Sequence, residues 1–257
     1  MQARRLPAIR GWRWIVEGFR LFRANPAPLT FLVFGYWLVL LTLDMAPLIG
    51  MALAPLCVPV LSVGVMNGCR ALERGSPSGL GLLFSGFRQN RATLLILGAI
   101  NLVCSLLIIA SSAPFDDGAF LNAIMTGQAP PEDMTDQLMA SMQIPLLLMV
   151  PVTLAFWFAP MLAAWDDFPA GKALFFSFAA CLRNWRAFLV YGFGVACFAI
   201  ILPGFVLELA QAVSLPVLNT TKAVLLLPLL FIFAPTLFAS FYISYRDIFI
   251  HAGTADA

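Results

Sequence analysis

Apolar residues in this chain gather into long, nearly unbroken runs, not into the short alternation or three-and-four spacing of a soluble domain. Six runs stand out, at residues 27–43, 46–66, 92–113, 144–164, 187–210 and 223–243. Each is long enough, or nearly so, to cross a hydrocarbon core about 30 Å thick as a helix rising about 1.5 Å per residue. A backbone surrounded by lipid must satisfy its own N–H and C=O groups, and the ~10-residue alternation of a membrane barrel does not occur here. The pattern predicts an all-α, polytopic membrane protein: six transmembrane helices in a single membrane domain over residues 1–257.

Composition points the same way. The chain is 61% hydrophobic and 11% charged, with mean hydropathy +0.91, against the roughly 45–50% and 25% usual for soluble domains. So few charges could not screen so much apolar surface from water. The longest polar interruption is the acidic loop at 114–143, too short for a separate extramembrane domain. Although the start, MQARRLPAIRGWRW, is cationic, its apolar run begins only near Pro28 and no small-x-small site follows it before the next run. The first run is therefore expected to be a retained span, not a cleaved signal peptide.

Charge sets the expected orientation. Of the 15 Lys and Arg, 14 fall on the side of the N-terminus. These are Arg4, Arg5, Arg10, Arg13, Arg20, Arg23, Arg70, Arg74, Arg88, Arg91, Lys172, Arg183, Arg186 and Arg246, and only Lys222 lies opposite. Asp44, Asp116, Asp117, Glu132, Asp133, Asp136 and Glu208 gather on the other side. Under the positive-inside rule both termini are expected in the cytoplasm, with the loop 114–143 periplasmic, in a bacterial inner membrane.

Three segments also resemble one another: GFRLFRANPAPLTFLVFG, LLFSGFRQNRATLLILG and LFFSFAACLRNWRAFLVYG. Each is aromatic, passes an Arg and an Asn (Asn25, Asn90, Asn184), and enters a span, and each return span carries Pro-x-Leu at Pro59, Pro160 or Pro235. This reads as three hairpin units, near 11–74, 77–165 and 169–247, each opened by a cytoplasmic interfacial amphipathic helix. In the first, Trp12, Ile15, Val16, Phe19 and Phe22 share one face, while Arg13 and Arg20 stand at pairing distance from Glu17. Asn25-Pro26 ends it. Trp12, Arg13, Arg20 and Arg23 are the expected contacts with the membrane surface.

Candidate chemistry is sparse. No ionisable residue falls near the middle of a span, and Asp44 and Glu208 lie close enough to the outer ends to reach water or headgroups. Asn101, central in the third run, is read as an interhelical hydrogen-bonding residue. Pro55, Pro59, Pro151, Pro160, Pro228 and Pro235 crowd the return spans, where prolines bend helices and can open a substrate cavity. The places to look for a cavity or helix contact are Asn101, Pro160 and Pro235. The acids at 132–136 begin a helix after Pro131 and lack calcium-loop spacing, and Met134, Met139 and Met142 with Leu138 form a packing face. With the single His251 and five scattered cysteines, no metal site, disulfide framework or cofactor is expected. Nor does any phosphate-loop, dinucleotide or nucleophile-elbow motif occur, so no enzyme is expected. The basic side needs only anionic lipid to explain it, so no nucleic acid is implied.

GWRWIVEGFRLFRANP at the start, FAPMLAAW followed by FPAGKALFFSF in the middle, and SYRDIF near the end resemble a family of six-span proteobacterial inner-membrane proteins. The resemblance implies a helical inner-membrane fold and brings no assigned reaction or ligand residues. The expectation is a non-enzymatic accessory or scaffold protein whose partners are membrane lipids and a membrane protein. The alternative is a transporter or lipid-handling protein using a cavity between the proline-kinked helices.

Overall fold

The computed structural model describes residues 3–46, 50–116, 118, 142–212 and 219–249. Among them every regular element is helical. In chain order these are α1 (Arg10–Ala24), α2 (Pro26–Asp44), α3 (Gly50–Glu73), a 3₁₀ helix (Leu80–Arg88), α4 (Arg91–Ala110), α5 (Ala113–Asp116), α6 (Gln143–Phe156), α7 (Ala159–Trp165), α8 (Ala170–Arg183), α9 (Trp185–Ala196), a π turn (Cys197–Ile201), α10 (Leu202–Ala212) and α11 (Asn219–Phe249). The acidic-loop residues at 119–141, including Glu132, Asp133, Met134, Asp136, Leu138 and Met139, lie outside the described residues, as does His251.

Six helical stretches among the described residues are long and apolar enough to cross a membrane: Pro26–Asp44, Ala52–Glu73, Arg91–Phe115, Gln143–Trp165, Trp185–Glu208 and Leu226–Phe249. They overlap the six apolar runs, and the second and sixth are shifted along the chain, beginning at 52 and 226 instead of 46 and 223. The second continues past the run's limit at 66 through Asn67, Arg70 and Glu73, and the sixth past 243 through Arg246 and Asp247. In both, the added turns carry polar side chains that find partners on neighbouring helices, so the helix outlasts its hydrophobicity.

The three segments before the odd-numbered spans take different forms. The first and third are the α-helices α1 and α8, whereas the second is the 3₁₀ helix Leu80–Arg88. Their asparagines share one position. Asn25, Asn90 and Asn184 each stand at the junction, and each backbone carbonyl accepts the first bond of the next helix, from Leu29 (3.3 Å), Leu94 (3.1 Å) and Phe188 (3.1 Å). Asn90 does so from a left-handed backbone at φ 40°, a region Asn tolerates better than most residues.

The described residues group into two compact units. One comprises 1–41, 61–88 and 180–257, and the other 42–60 and 89–179. In the second, Leu94 and Leu97 of α4 and Phe158, Met161 and Leu162 beside or within α7 are fully buried. Gly98 lets α4 approach α3 closely, because a Cβ there would overlap the Leu56 backbone. In the first, Gly64 of α3 lies against the Leu83 backbone of the 3₁₀ helix, leaving no room for a side chain. Asn67 Nδ2 donates to Ser85 Oγ at 2.7 Å beside that contact.

The π turn has a local cause. Pro203 cannot donate to the carbonyl four residues before it, and a widened turn just ahead of the proline absorbs the misfit.

Candidate functional site

Helix α1 carries the most specific side-chain arrangement in the first unit. Its buried stripe is Gly11, Trp14, Ile15 and Gly18, spaced as one helical face. A Cβ on Gly11 would strike the Ala187 carbonyl of α9, and one on Gly18 would strike the backbone of Ser240 in α11. Two glycines seven apart thus set two of α1's contacts at backbone distance. Trp14, fully buried between them, meets Phe188 and Tyr191 edge-on at 5.4 and 5.8 Å. The Tyr191 hydroxyl lies 2.9 Å from Ser240 Oγ, joining α9 to α11 under the same helix.

Of the apolar face read from the spacing, Ile15 is buried against the protein while Trp12 and Phe19 are exposed, and Trp14, outside that face, takes the inward position. Hydrophobicity would rotate the helix toward its largest apolar stripe. The glycines instead decide which side can come closest to its neighbours, and Trp14 lies on that side.

An ionic network closes the arrangement. The Asp247 carboxylate, near the end of α11, accepts Trp14 Nε1–H at 2.9 Å and Arg10 Nε–H at 2.8 Å, with Arg10 Nη2 on the same oxygen. Glu17 sits between two guanidiniums, 2.8 Å from Arg246 Nη2 and 3.4 Å from Arg10 Nη1. Arg246 also pairs through Nη1 with Glu73 at the end of α3, and Tyr242 donates its hydroxyl to Glu73 Oε2 at 2.5 Å. Three helix ends are therefore tied by two cations and three carboxylates whose side chains are only 11–31% exposed. Glu17 does not use Arg13 or Arg20, as spacing along α1 suggests, because it points at α11 while those arginines face outward. Chemically this is a clamp: it holds charge by pairing, and it offers no nucleophile or acid–base pair aligned on a cavity.

The other expected site residues are dispersed. Arg13, Arg20 and Arg23 are exposed along α1, and Trp12 stacks on Phe198 of the π turn at 6.2 Å. Asn101 is half-buried on α4, Pro160 is buried in the first turn of α7, and Pro235 is buried inside the uninterrupted α11. The fourth span does break between α6 and α7, at Trp157 and Phe158. That break is closed by a side chain from α8. Ser177 Oγ, itself fully buried, accepts the Phe158 N–H at 2.9 Å and donates to the Leu154 carbonyl at 2.9 Å.

Arg10, Trp14, Glu17, Glu73 and Asp247 went unmarked as a group in the sequence because their partners are up to 237 positions away. A signal existed nonetheless: Glu17, Glu73 and Asp247 are carboxylates on the side that otherwise collects cations. Acids placed against a charge bias are candidates for pairing.

Over 258 aligned residues the chain is 35% identical to a probable inner membrane protein of Burkholderia thailandensis, covering 97% of this chain and 94% of that one. No family model and no solved structure matches it.

Proposed function

The chain belongs to this family of inner membrane proteins, and we propose that it acts there as a non-enzymatic accessory or scaffold protein, with its cation-rich edge and both termini in the cytoplasm. The observation that carries this reading is the closed break in the fourth span. A transporter built on proline-interrupted helices leaves backbone groups at the interruption free to bind cargo. Here Ser177 occupies them from both sides of the gap. Five charged groups of the first unit, Arg10, Glu17, Glu73, Arg246 and Asp247, are likewise spent on one another. What remains available is surface. Among the candidate spans, the best windows of the third and fifth are only 17% and 11% buried, leaving broad apolar sides for lipid or a neighbouring membrane protein.

Extraction from native membranes in a lipid-preserving polymer, followed by mass spectrometry of co-eluting material, tests this. A membrane protein recovered in near-equal amount supports the scaffold reading. Recovery of a specific small molecule without such a partner overturns it in favour of transport or lipid handling.

A further inference from the structure

The extended segment before α1 is stitched to the junction of α8 and α9. Asn184, 1% exposed, accepts the Leu6 N–H through Oδ1 at 2.8 Å and donates through Nδ2 to the Arg4 carbonyl at 2.9 Å and the Ala180 carbonyl at 3.0 Å. Arg4 N–H in turn reaches the Ile248 carbonyl at 3.0 Å. These bonds bracket Arg5 on both sides and fix it opposite Arg183 and Arg186. Between the two chain segments lies a hollow of about 480 Å³ lined by Arg5, Arg183, Asn184, Trp185 and Arg186 together with residues 6–8.

The chemistry of this hollow is anionic recognition. It gathers three guanidiniums, and among the described residues none of them has a carboxylate at ion-pair distance. Elsewhere in the same unit Arg10 and Arg246 are both paired with acids, so the absence of acids here is local. The hollow also lies at the N-terminus of α9, whose N-cap Asn184 makes no capping bond because its side chain is engaged with the incoming segment. Uncapped first-turn amides and planar guanidinium forks both suit phosphate oxygens. Its depth in a membrane is set by sequence. The fifth candidate span begins at Trp185, half exposed, with the Arg186 guanidinium 5.4 Å from its ring. Tryptophan and arginine at a span's first residues mark the headgroup level.

We propose that Arg5, Arg183 and Arg186 form a phosphate-group site that binds the headgroup of an anionic phospholipid. It is separate from the exposed Arg13, Arg20 and Arg23 on α1, and it stands whether the protein acts as a scaffold or a transporter. Asn184 is its builder, not a ligand, since its amide is already fully engaged.

Native mass spectrometry of the full chain, released from nanodiscs containing phosphatidylglycerol and phosphatidylcholine, tests the site. The wild type should retain one phosphatidylglycerol per chain in preference to phosphatidylcholine. R5Q/R183Q/R186Q should lower that retention about tenfold or more, whereas R74Q/R88Q/R91Q, with the same loss of charge at exposed positions elsewhere, should leave it within about twofold. R5K/R183K/R186K keeps the charge without the fork and should fall between them. Equal losses in the two glutamine triples would overturn the site in favour of diffuse attraction. If millimolar inorganic phosphate displaced the lipid and itself bound the wild type one to one, the lipid assignment would be overturned in favour of a soluble phosphate compound. Circular dichroism of each variant, and the single variants R5Q and R183Q, separate loss of binding from loss of fold.

Discussion

Trp14 donates its indole N–H to the Asp247 carboxylate at 2.9 Å, joining α1 to α11. Asp247 holds Arg10 with the same oxygen, so its removal and the removal of Trp14 are not equivalent. Trp14→Phe keeps the ring contacts with Phe188 and Tyr191 and loses one hydrogen bond, which should cost about 1 kcal/mol. Asp247→Ala strands the indole and leaves the Arg10 guanidinium with Glu17 alone, and should cost about 2–4 kcal/mol. Thermal unfolding midpoints in a mild detergent check the order; equal losses would show that the carboxylate serves only the tryptophan.

The Glu73–Arg246 pair should reveal itself as coupling. With both side chains roughly 30% exposed, screening limits it, and a double-mutant cycle between Glu73→Gln and Arg246→Gln should give about 0.5–1 kcal/mol of interaction energy. Adding Tyr242→Phe should cost less in the Glu73→Gln background than in the wild type, since the hydroxyl has by then lost its charged acceptor. Additive effects throughout would mean that the ends of α3 and α11 are held by packing alone.

Glycine substitutions should change sign with position. Gly18→Ala drives a methyl into the Ser240 backbone and should destabilise by about 1–3 kcal/mol, since neither backbone can yield without moving its helix. Gly192→Ala, on exposed α9 with nothing within 4 Å of the new methyl, should be neutral or stabilising by up to about 1 kcal/mol. The same pair of melting curves in detergent reads both.

Ser177→Ala should destabilise by about 1–3 kcal/mol by exposing the Phe158 N–H and Leu154 carbonyl at the break in the fourth span. Ser177→Thr, which keeps the hydroxyl, should recover part of that. Amide hydrogen exchange of 154–160 should quicken in the alanine variant and not in the threonine one. Unchanged exchange would mean that the break is closed by something other than this hydroxyl.

Orientation is checked with reporter fusions. Alkaline phosphatase, active only outside the cytoplasm, should be inactive when fused after α11 and active when placed in the loop at 119–141. The reverse pattern would invert the topology drawn from the arginines.

The six spans were legible because a hydrophobic run of about 20 residues has few alternatives once lipid forbids an unpaired backbone. The C-terminal ends of the second and sixth were not. Reading Asn67, Arg70 and Glu73 as the close of the second span requires knowing that Ser85, Tyr242 and Arg246 wait beside them. The side of α1 that packs on the protein was not legible, because glycine contributes nothing to a hydropathy pattern and yet governs how near two backbones can come. The fourth span breaks just before Pro160, one of six prolines read as bends, and only Ser177, 17 positions later on another helix, shows how that interruption is satisfied.

The seating of α1 bears on how the protein is made. Synthesis delivers Arg10, Trp14 and Glu17 long before their partners Arg246 and Asp247. Until α11 has left the ribosome and entered the membrane, the opening helix carries an indole N–H and two charges without their final partners. A nascent chain stalled before α11 would display that unfinished surface to membrane proteases, and a completed one would conceal it. Closure of α1 on α11 thus marks a chain whose sixth span is in place, and the half-life of chains truncated before residue 236 should be correspondingly short.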